Sequence, residues 1–338
     1  MLLEIQDLIV HYKIRDGWVR AVDGVSMTLG KGETLGLVGE SACGKTTLAY
    51  GISQLLPNNA YIKGGRIIFN GKNLLKITMR KDGRLKEYDS EMNKIRWKEI
   101  SMIFQGAMNA LNPVHAVGDQ IIEAIVHHED ISKNEARVRV EDLYRLVGIP
   151  KDRIDNYPHE YSGGMKQRAM IAMALALNPK LVIADEPTTA LDVITQSKIL
   201  GKVREIQNQL DMAMIIITHD VSVVAKTASR IAVMYAGQLS ELGTTRQVFK
   251  ETAHPYTYGL LGSFPSIKGE LKRLETIRGN PPSLVDPPTG CRFHPRCPFM
   301  QEKCRKTDPP GIKLGKDHVS FCHFAKDLQG KLLVEVTG

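Results

Sequence analysis

Short apolar runs and helical periodicities divide the chain into three stretches. Residues 1–105 predict strands and turns leading into an α/β core; the run Leu35-Gly36-Leu37-Val38 ends in a glycine-rich loop, and Thr46–Leu55 is suited to start a helix. Four further runs, Ser101–Phe104, Leu181–Ala184, Met214–Ile217 and Ile231–Met234, are too short and too β-branched to prefer helix and predict buried parallel strands. Between about 106 and 178 the strand pattern vanishes. There Ile121, Ile122, Ile125 and Val126 share one helical face, and Ser132-Lys133-Asn134-Glu135 has the form of a capping box. Val138, Leu143, Leu146 and Val147 follow at helical spacing. The pattern therefore predicts a helical subdomain inserted into an α/β core.

From about residue 260 the pattern changes again. Pro265, Pro281, Pro282, Pro287, Pro288, Pro295, Pro298, Pro309 and Pro310 fall within 46 residues, which excludes long helices and central strands. Four of the five cysteines lie there too: Cys291, Cys297, Cys304 and Cys322. The expected division is a core domain over 1–260 and a small Cys/Pro-rich extension over 261–338.

Composition adds limits. With 43% hydrophobic and 24% charged residues the chain reads as a globular protein with a substantial core. Its longest comparable apolar run, Ala169–Leu177, has nine residues, about half the roughly 18 a spanning helix needs. The N-terminus meets Glu4 at once and lacks a basic leader, so a cytosolic location is expected. The net charge of +8 is dispersed rather than blocked and says little about partners.

The chemistry starts at Gly39-Glu40-Ser41-Ala42-Cys43-Gly44-Lys45-Thr46, a full match to G-x-x-x-x-G-K-[ST]. Glycines let such a loop curl its N–H groups onto phosphate oxygens, and the following helix adds its positive end, with Thr47 in its first turn. Lys45 is expected at the β and γ phosphates and the Thr46 hydroxyl on Mg²⁺. The run Leu181–Ala184 delivers Asp185 and Glu186 to a strand's C-terminal edge. Asp185 then suits Mg²⁺, and Glu186 suits the polarisation of an attacking water.

Seventeen residues before Asp185 ends the run Ser162-Gly163-Gly164-Met165-Lys166-Gln167-Arg168. It resembles the signature of ATP-binding cassette (ABC) proteins, whose usual form is L-S-G-G-Q. A Ser-Gly-Gly opening the apolar stretch Met165–Leu177 offers N–H groups, a hydroxyl and a helix dipole to an anion. Other elements follow the family's order. Gln105 resembles the Q-loop, also a candidate Mg²⁺ ligand; Ala190-Leu191-Asp192 resembles the D-loop; His219 resembles the switch histidine. Tyr12, 27 residues before the loop, stands where the family stacks an aromatic ring on adenine. Tyr161 and Met165 depart from the usual Leu and Gln, but backbone donors do not depend on them.

The run Tyr157–Met165, with Gly36–Ser41 and Ala253-His254-Pro255-Tyr256-Thr257, is similar to one branch of that family: the dipeptide/oligopeptide importers, in particular their first ATPase subunit. The resemblance implies a P-loop NTPase fold and a peripheral place at the cytoplasmic face of the inner membrane. It implies two MgATP sandwiched at a cassette dimer, with Ser162–Met165 closing on the partner's γ-phosphate. Glu186, His219, Lys45 and Gln105 are the catalytic set so implied. The implied partners are a second, related ATPase (a heterodimer), two membrane permease subunits and, indirectly, an extracytoplasmic substrate-binding protein; no nucleic acid is expected. Peptides are the first cargo to expect, with nickel chelates and oligosaccharides as other uses of the branch. A DNA-repair or chromosome-type ATPase shares the motifs but carries long insertions, whereas Lys45 and Ser162 stand 117 positions apart.

The cysteine spacing, C-x5-C-x6-C-x17-C, leaves more than one answer. Four thiolates close a Zn²⁺ site or hold a [4Fe–4S] cluster, and the third alternative is a set of unligated thiols. Zinc ribbons use tighter pairs, and the resembled branch carries an iron–sulfur centre in this extension. His294 and His323 are substitute ligands.

Overall fold

The computed structural model describes residues 1–106, 110–187, 193–263 and 277–332. Its strands, in chain order, are β1 (Leu3–Ile14), β2 (Gly17–Leu29), β3 (Thr34–Val38), β4 (Ala60–Phe69), β5 (Lys72–Asn73), β6 (Ile100–Ile103), β7 (Leu181–Asp185), β8 (Ala213–Ile217), β9 (Arg230–Tyr235), β10 (Gln238–Thr244), β11 (Ile312–Gly315) and β12 (His318–Ser320). The chain divides into two compact units. One comprises residues 1–29, 34–86 and 217–338, the other 30–33 and 87–216.

In the first unit, an antiparallel sheet runs in the order β2-β1-β4-β5. Alternation in β1 buries Leu3, Ile5, Leu8 and Val10 on one face, the pattern of a half-covered antiparallel strand. A second ladder joins β3 to β9 in parallel, β9 to β10 and β10 to β12 antiparallel, with β11 outermost. Strand β3 is buried along its whole length, which is why its sequence is continuously apolar. The extension thus contributes a strand directly to β10.

The second unit carries β6 and β7, paired in parallel, then β8 beside β7. Its helices Val117–His128, Lys133–Val147, Gly163–Leu175 and Val193–Leu210 pack on a core that includes Ile121, Ile125, Val140, Tyr144, Ala169 and Ile216. The capping box forms as expected: Ser132 Oγ accepts from the Glu135 N–H, and the Glu135 carboxylate accepts from the Ser132 N–H at 2.8 Å. Val138 is a correction. It is 60% exposed, because the buried face of that helix runs Ala136, Val140, Leu143, Tyr144, Val147, and position 138 lies off it. The four strands predicted from apolar runs are all present, displaced by at most one residue at either end. Among the described residues no helix is long and apolar enough to cross a membrane.

Candidate functional site

In the first unit the loop 39–44 joins β3 to the helix Lys45–Ser53. Ala42 has φ 62° and Gly44 φ 105°, a turn of alternating hand in which successive amide N–H groups converge on an anion. At Gly44 a Cβ would stand 1.9 Å from the Ala21 carbonyl oxygen, and at Gly39 2.2 Å from that of Met234. Only glycine fits at these two places. Lys45 Nζ donates to the carbonyls of Gly39 and Glu40, both at 2.8 Å, so the ammonium lies along the inside of the loop. Cys43 is buried with its sulfur 3.5 Å from Lys45 Nζ; burial pushes its thiol up against the pull of that ammonium. Thr47 Oγ1 stands 3.1 Å from the Tyr12 hydroxyl, tying β1 to the first turn of the helix, and burial raises the Tyr12 phenol.

Sequence reasoning missed what supports this loop. The Glu40 carboxylate accepts two hydrogen bonds from Arg296, at 2.7 and 3.0 Å, and the Glu40 N–H donates to the Tyr256 hydroxyl at 2.8 Å. The carboxylate in turn holds the Arg296 guanidinium more firmly protonated than usual. Arg292 reaches Asp23 and the Ala236 carbonyl. Nothing in the spacing of an arginine next to a cysteine announces such a partner 256 positions away.

His219 follows β8 as an exposed residue, just before the helix Val221–Thr227 that Asp220 caps.

The second unit brings three other predicted elements together. Asp185 ends β7 and is 1% exposed. Glu186 follows with φ 50°, a left-handed conformation that costs a non-glycine residue on the order of 1–3 kcal/mol and is found at functional sites. Its carboxylate accepts from Gln105 Nε2 at 3.0 Å, so the second residue after β6 meets the first after β7. Buried Gln167 donates to the Pro187 carbonyl and fixes the turn from behind. Ser162 caps the helix Gly163–Leu175, its Oγ accepting from the Met165 N–H at 3.3 Å, with Ser162 and Gly163 exposed. First-turn N–H groups have no intrahelical acceptor, so this end suits an anion.

The two departures from the usual signature also find their place. Tyr161 is 4% exposed, donates to the Arg153 carbonyl at 2.6 Å and meets the Tyr144 hydroxyl at 2.9 Å; Met165 packs against the helical core. Asp192 lies outside the described residues.

In the extension Cys291, Cys297, Cys304 and Cys322 line one pocket, together with Phe293, Phe299, Phe324 and Leu328. His294 and His323 border it as well. Burial pushes three of the thiols up, Cys291 and Cys322 to about 11 and Cys297 to about 12. Among the described residues no group of three or more His, Cys, Asp or Glu stands in a metal-holding arrangement. The convergence of four sulfurs on one apolar space fits a thiolate donor set in kind; the side-chain placement is not that of a ligated site.

Residues 22–189 match the family described as ABC transporter, and residues 240–304 the family described as oligopeptide/dipeptide transporter, C-terminal region. The oligopeptide transport ATP-binding protein OppD of Bacillus subtilis (strain 168) is 46% identical over 94% of this chain and 87% of its own length. The dipeptide transport ATP-binding protein DppD of the same organism is 46% identical over 95% of this chain and 94% of its own. This chain belongs to the ABC transporter family, in its oligopeptide/dipeptide branch. As an ABC cassette it is an ATPase of the transport type, with a mixed α/β fold. A dimeric structure of MJ0796, a bacterial ABC transporter cassette, superimposes with a TM-score of 0.64 at 25% identity, covering 72% of this chain and 99% of that one.

Proposed function

We propose that this chain is the ATP-hydrolysing subunit that energises import of dipeptides or oligopeptides. The observation that carries the reading is that its likeness to peptide-transport ATPases runs through both parts of the chain, the cassette and the C-terminal region. A cassette match alone would leave the cargo class open.

Each residue's part follows from its chemistry. Lys45 and N–H groups of the loop 39–47, other than that of Glu40, which Tyr256 takes, bind the triphosphate, and Tyr12 stacks on the base. Thr46, Asp185 and Gln105 are the residues that would hold Mg²⁺ by oxygen, and the ion would supply charge neutralisation to the triphosphate. Glu186, oriented by Gln105, positions a water for in-line attack, and His219 stabilises the charge that develops on the γ-phosphate. Ser162, Gly163, Gly164 and Met165 present a capped helix end to the nucleotide of a second cassette, an arrangement in keeping with the dimeric relative, and Asp192 is assigned to nucleotide binding as well. That second cassette is a related but different ATPase. The pair docks on two permease subunits at the cytoplasmic face of the inner membrane, and a substrate-binding protein delivers the cargo from outside.

For the extension, the four cysteines are assigned to a [4Fe–4S] cluster, in preference to Zn²⁺, because their wide spacing rings one pocket instead of forming two tight pairs. Ligation would require the thiols to shed the protons that burial now favours. Its role there is to order a segment too proline-rich to build its own core.

The test is transport. Vesicles carrying the two permeases, this chain and its partner ATPase, with MgATP on the cassette side and the substrate-binding protein on the other, are expected to accumulate a labelled dipeptide, and Lys45→Ala should abolish uptake. Uptake of nickel chelates or oligosaccharides without peptides would replace the cargo assignment.

A further inference from the structure

Between Cys291 and Cys297 the extension turns two arginines toward the phosphate-loop side of the first unit. Arg292 reaches Asp23 of β2 and the Ala236 carbonyl, and Arg296 forks onto Glu40 inside the glycine-rich loop. The Arg296 side chain is only 6% exposed, and Glu40 24%. Its Nε also holds the Arg278 carbonyl at 2.9 Å and one terminal nitrogen the Gly279 carbonyl at 3.0 Å, so the fork is fixed from behind. Phe293, between the two arginines, packs against Tyr235 and Tyr256, whose rings lie 4.5 Å apart; Tyr256 is the residue whose hydroxyl takes the Glu40 N–H. Backbone and side chain of Glu40 are therefore both held, one by Tyr256 and the other by the extension.

We propose that Arg296 is a positioning residue for nucleotide binding: it fixes the loop through Glu40 and cancels a negative charge that would otherwise face the triphosphate. The proposal rests on the reading of residues 39–47 as the ATP site. A carboxylate in that loop is a liability, since the ligand there carries several negative charges and like charges at short range repel. A bidentate guanidinium removes the repulsion and defines the geometry at once.

The sign of the effect separates this role from a merely structural one. Removing Arg296 leaves Glu40 charged and unheld; removing Glu40's charge as well relieves the repulsion. MgATP binding to the full-length chain, purified without oxygen, is measured by titration calorimetry for wild type, Lys45→Ala, Arg296→Gln, Glu40→Gln and the Arg296→Gln/Glu40→Gln double variant, each with its Tm. Arg296→Gln should weaken MgATP about tenfold, and adding Glu40→Gln should recover most of the loss, as charge-assisted pairs of this kind predict. A folded Arg296→Gln that binds within twofold of wild type overturns the proposal. So does a double variant weaker than Arg296→Gln, because lost folding adds where lost repulsion cancels. Should Arg296→Gln not fold, Arg296→Lys takes its place; it keeps the charge and loses the fork, and is expected to bind MgATP more weakly than wild type, while unchanged affinity overturns the role. Wild-type binding that is absent, or unaffected by Lys45→Ala, overturns the ATP-site reading and this proposal together.

Discussion

Gln105 Nε2 donates to the Glu186 carboxylate at 3.0 Å, joining the ends of two neighbouring parallel strands at a point where the backbone of Glu186 is left-handed. The contact aims a carboxylate that would otherwise swing. Glu186→Gln keeps an amide oxygen for Gln105 but loses the charge. Hydrolysis should fall by about 10²–10⁴-fold, the usual worth of a positioned general base, while MgATP affinity stays within a few-fold of wild type. The check is steady-state phosphate release beside equilibrium nucleotide binding; turnover within tenfold of wild type would remove Glu186 from its assigned part.

Gly44→Ala tests the loop's backbone. The new Cβ has no room beside the Ala21 carbonyl, and φ 105° is unfavourable for any side chain. We expect a stability loss of about 2 kcal/mol or more, read from denaturant unfolding, together with MgATP binding too weak to detect.

Tyr161→Phe removes one hydroxyl that serves two others. The Arg153 carbonyl keeps the Asn156 N–H at 3.1 Å and loses its second donor, while the buried Tyr144 hydroxyl loses its partner. Unsatisfied groups of this sort cost about 1–3 kcal/mol each, so destabilisation in that range is expected. Tyr161→Leu, which restores the family's usual residue, should cost more, since it adds a cavity to the same losses. Chemical denaturation distinguishes the two.

The proposed cluster has a direct test. Protein purified without oxygen should be brown and carry about four irons per chain, and Cys297→Ser should lose the colour and most of the iron. A colourless chain with a single zinc would make the extension a zinc clip, and one with neither metal would leave four unligated thiols.

How much of this was readable in advance depends on how local the signal is. The strand–loop–helix around Lys45, the capping box at Ser132 and the four buried strands are written in runs of four to eight residues, where periodicity and turn chemistry act directly. Val138 shows the limit of that method: its spacing to Leu143 and Val147 allowed a buried face, and tertiary packing chose the face through Val140 instead. Glu186 was picked for its place after an apolar strand, but its left-handed backbone and its bond to Gln105 follow only from the pairing of β6 with β7. The Arg296–Glu40 pair was invisible, because neither residue belongs to a motif that names the other. For the cysteines, sequence spacing supplied the donors but not their arrangement, which depends on how a proline-rich segment turns.

Strand β10 pairs with β9 on one edge and with β12 on the other, and β9 pairs in turn with β3, the strand that leads into the phosphate loop. Main-chain hydrogen bonds therefore run without interruption from the extension to the nucleotide loop. Their amides should open together, so the extension is not an independent foldon. Any free energy a ligand at the cysteines adds to the extension is then shared across that whole ladder. It should appear as slower hydrogen exchange in β3 and β9 as well as in β12.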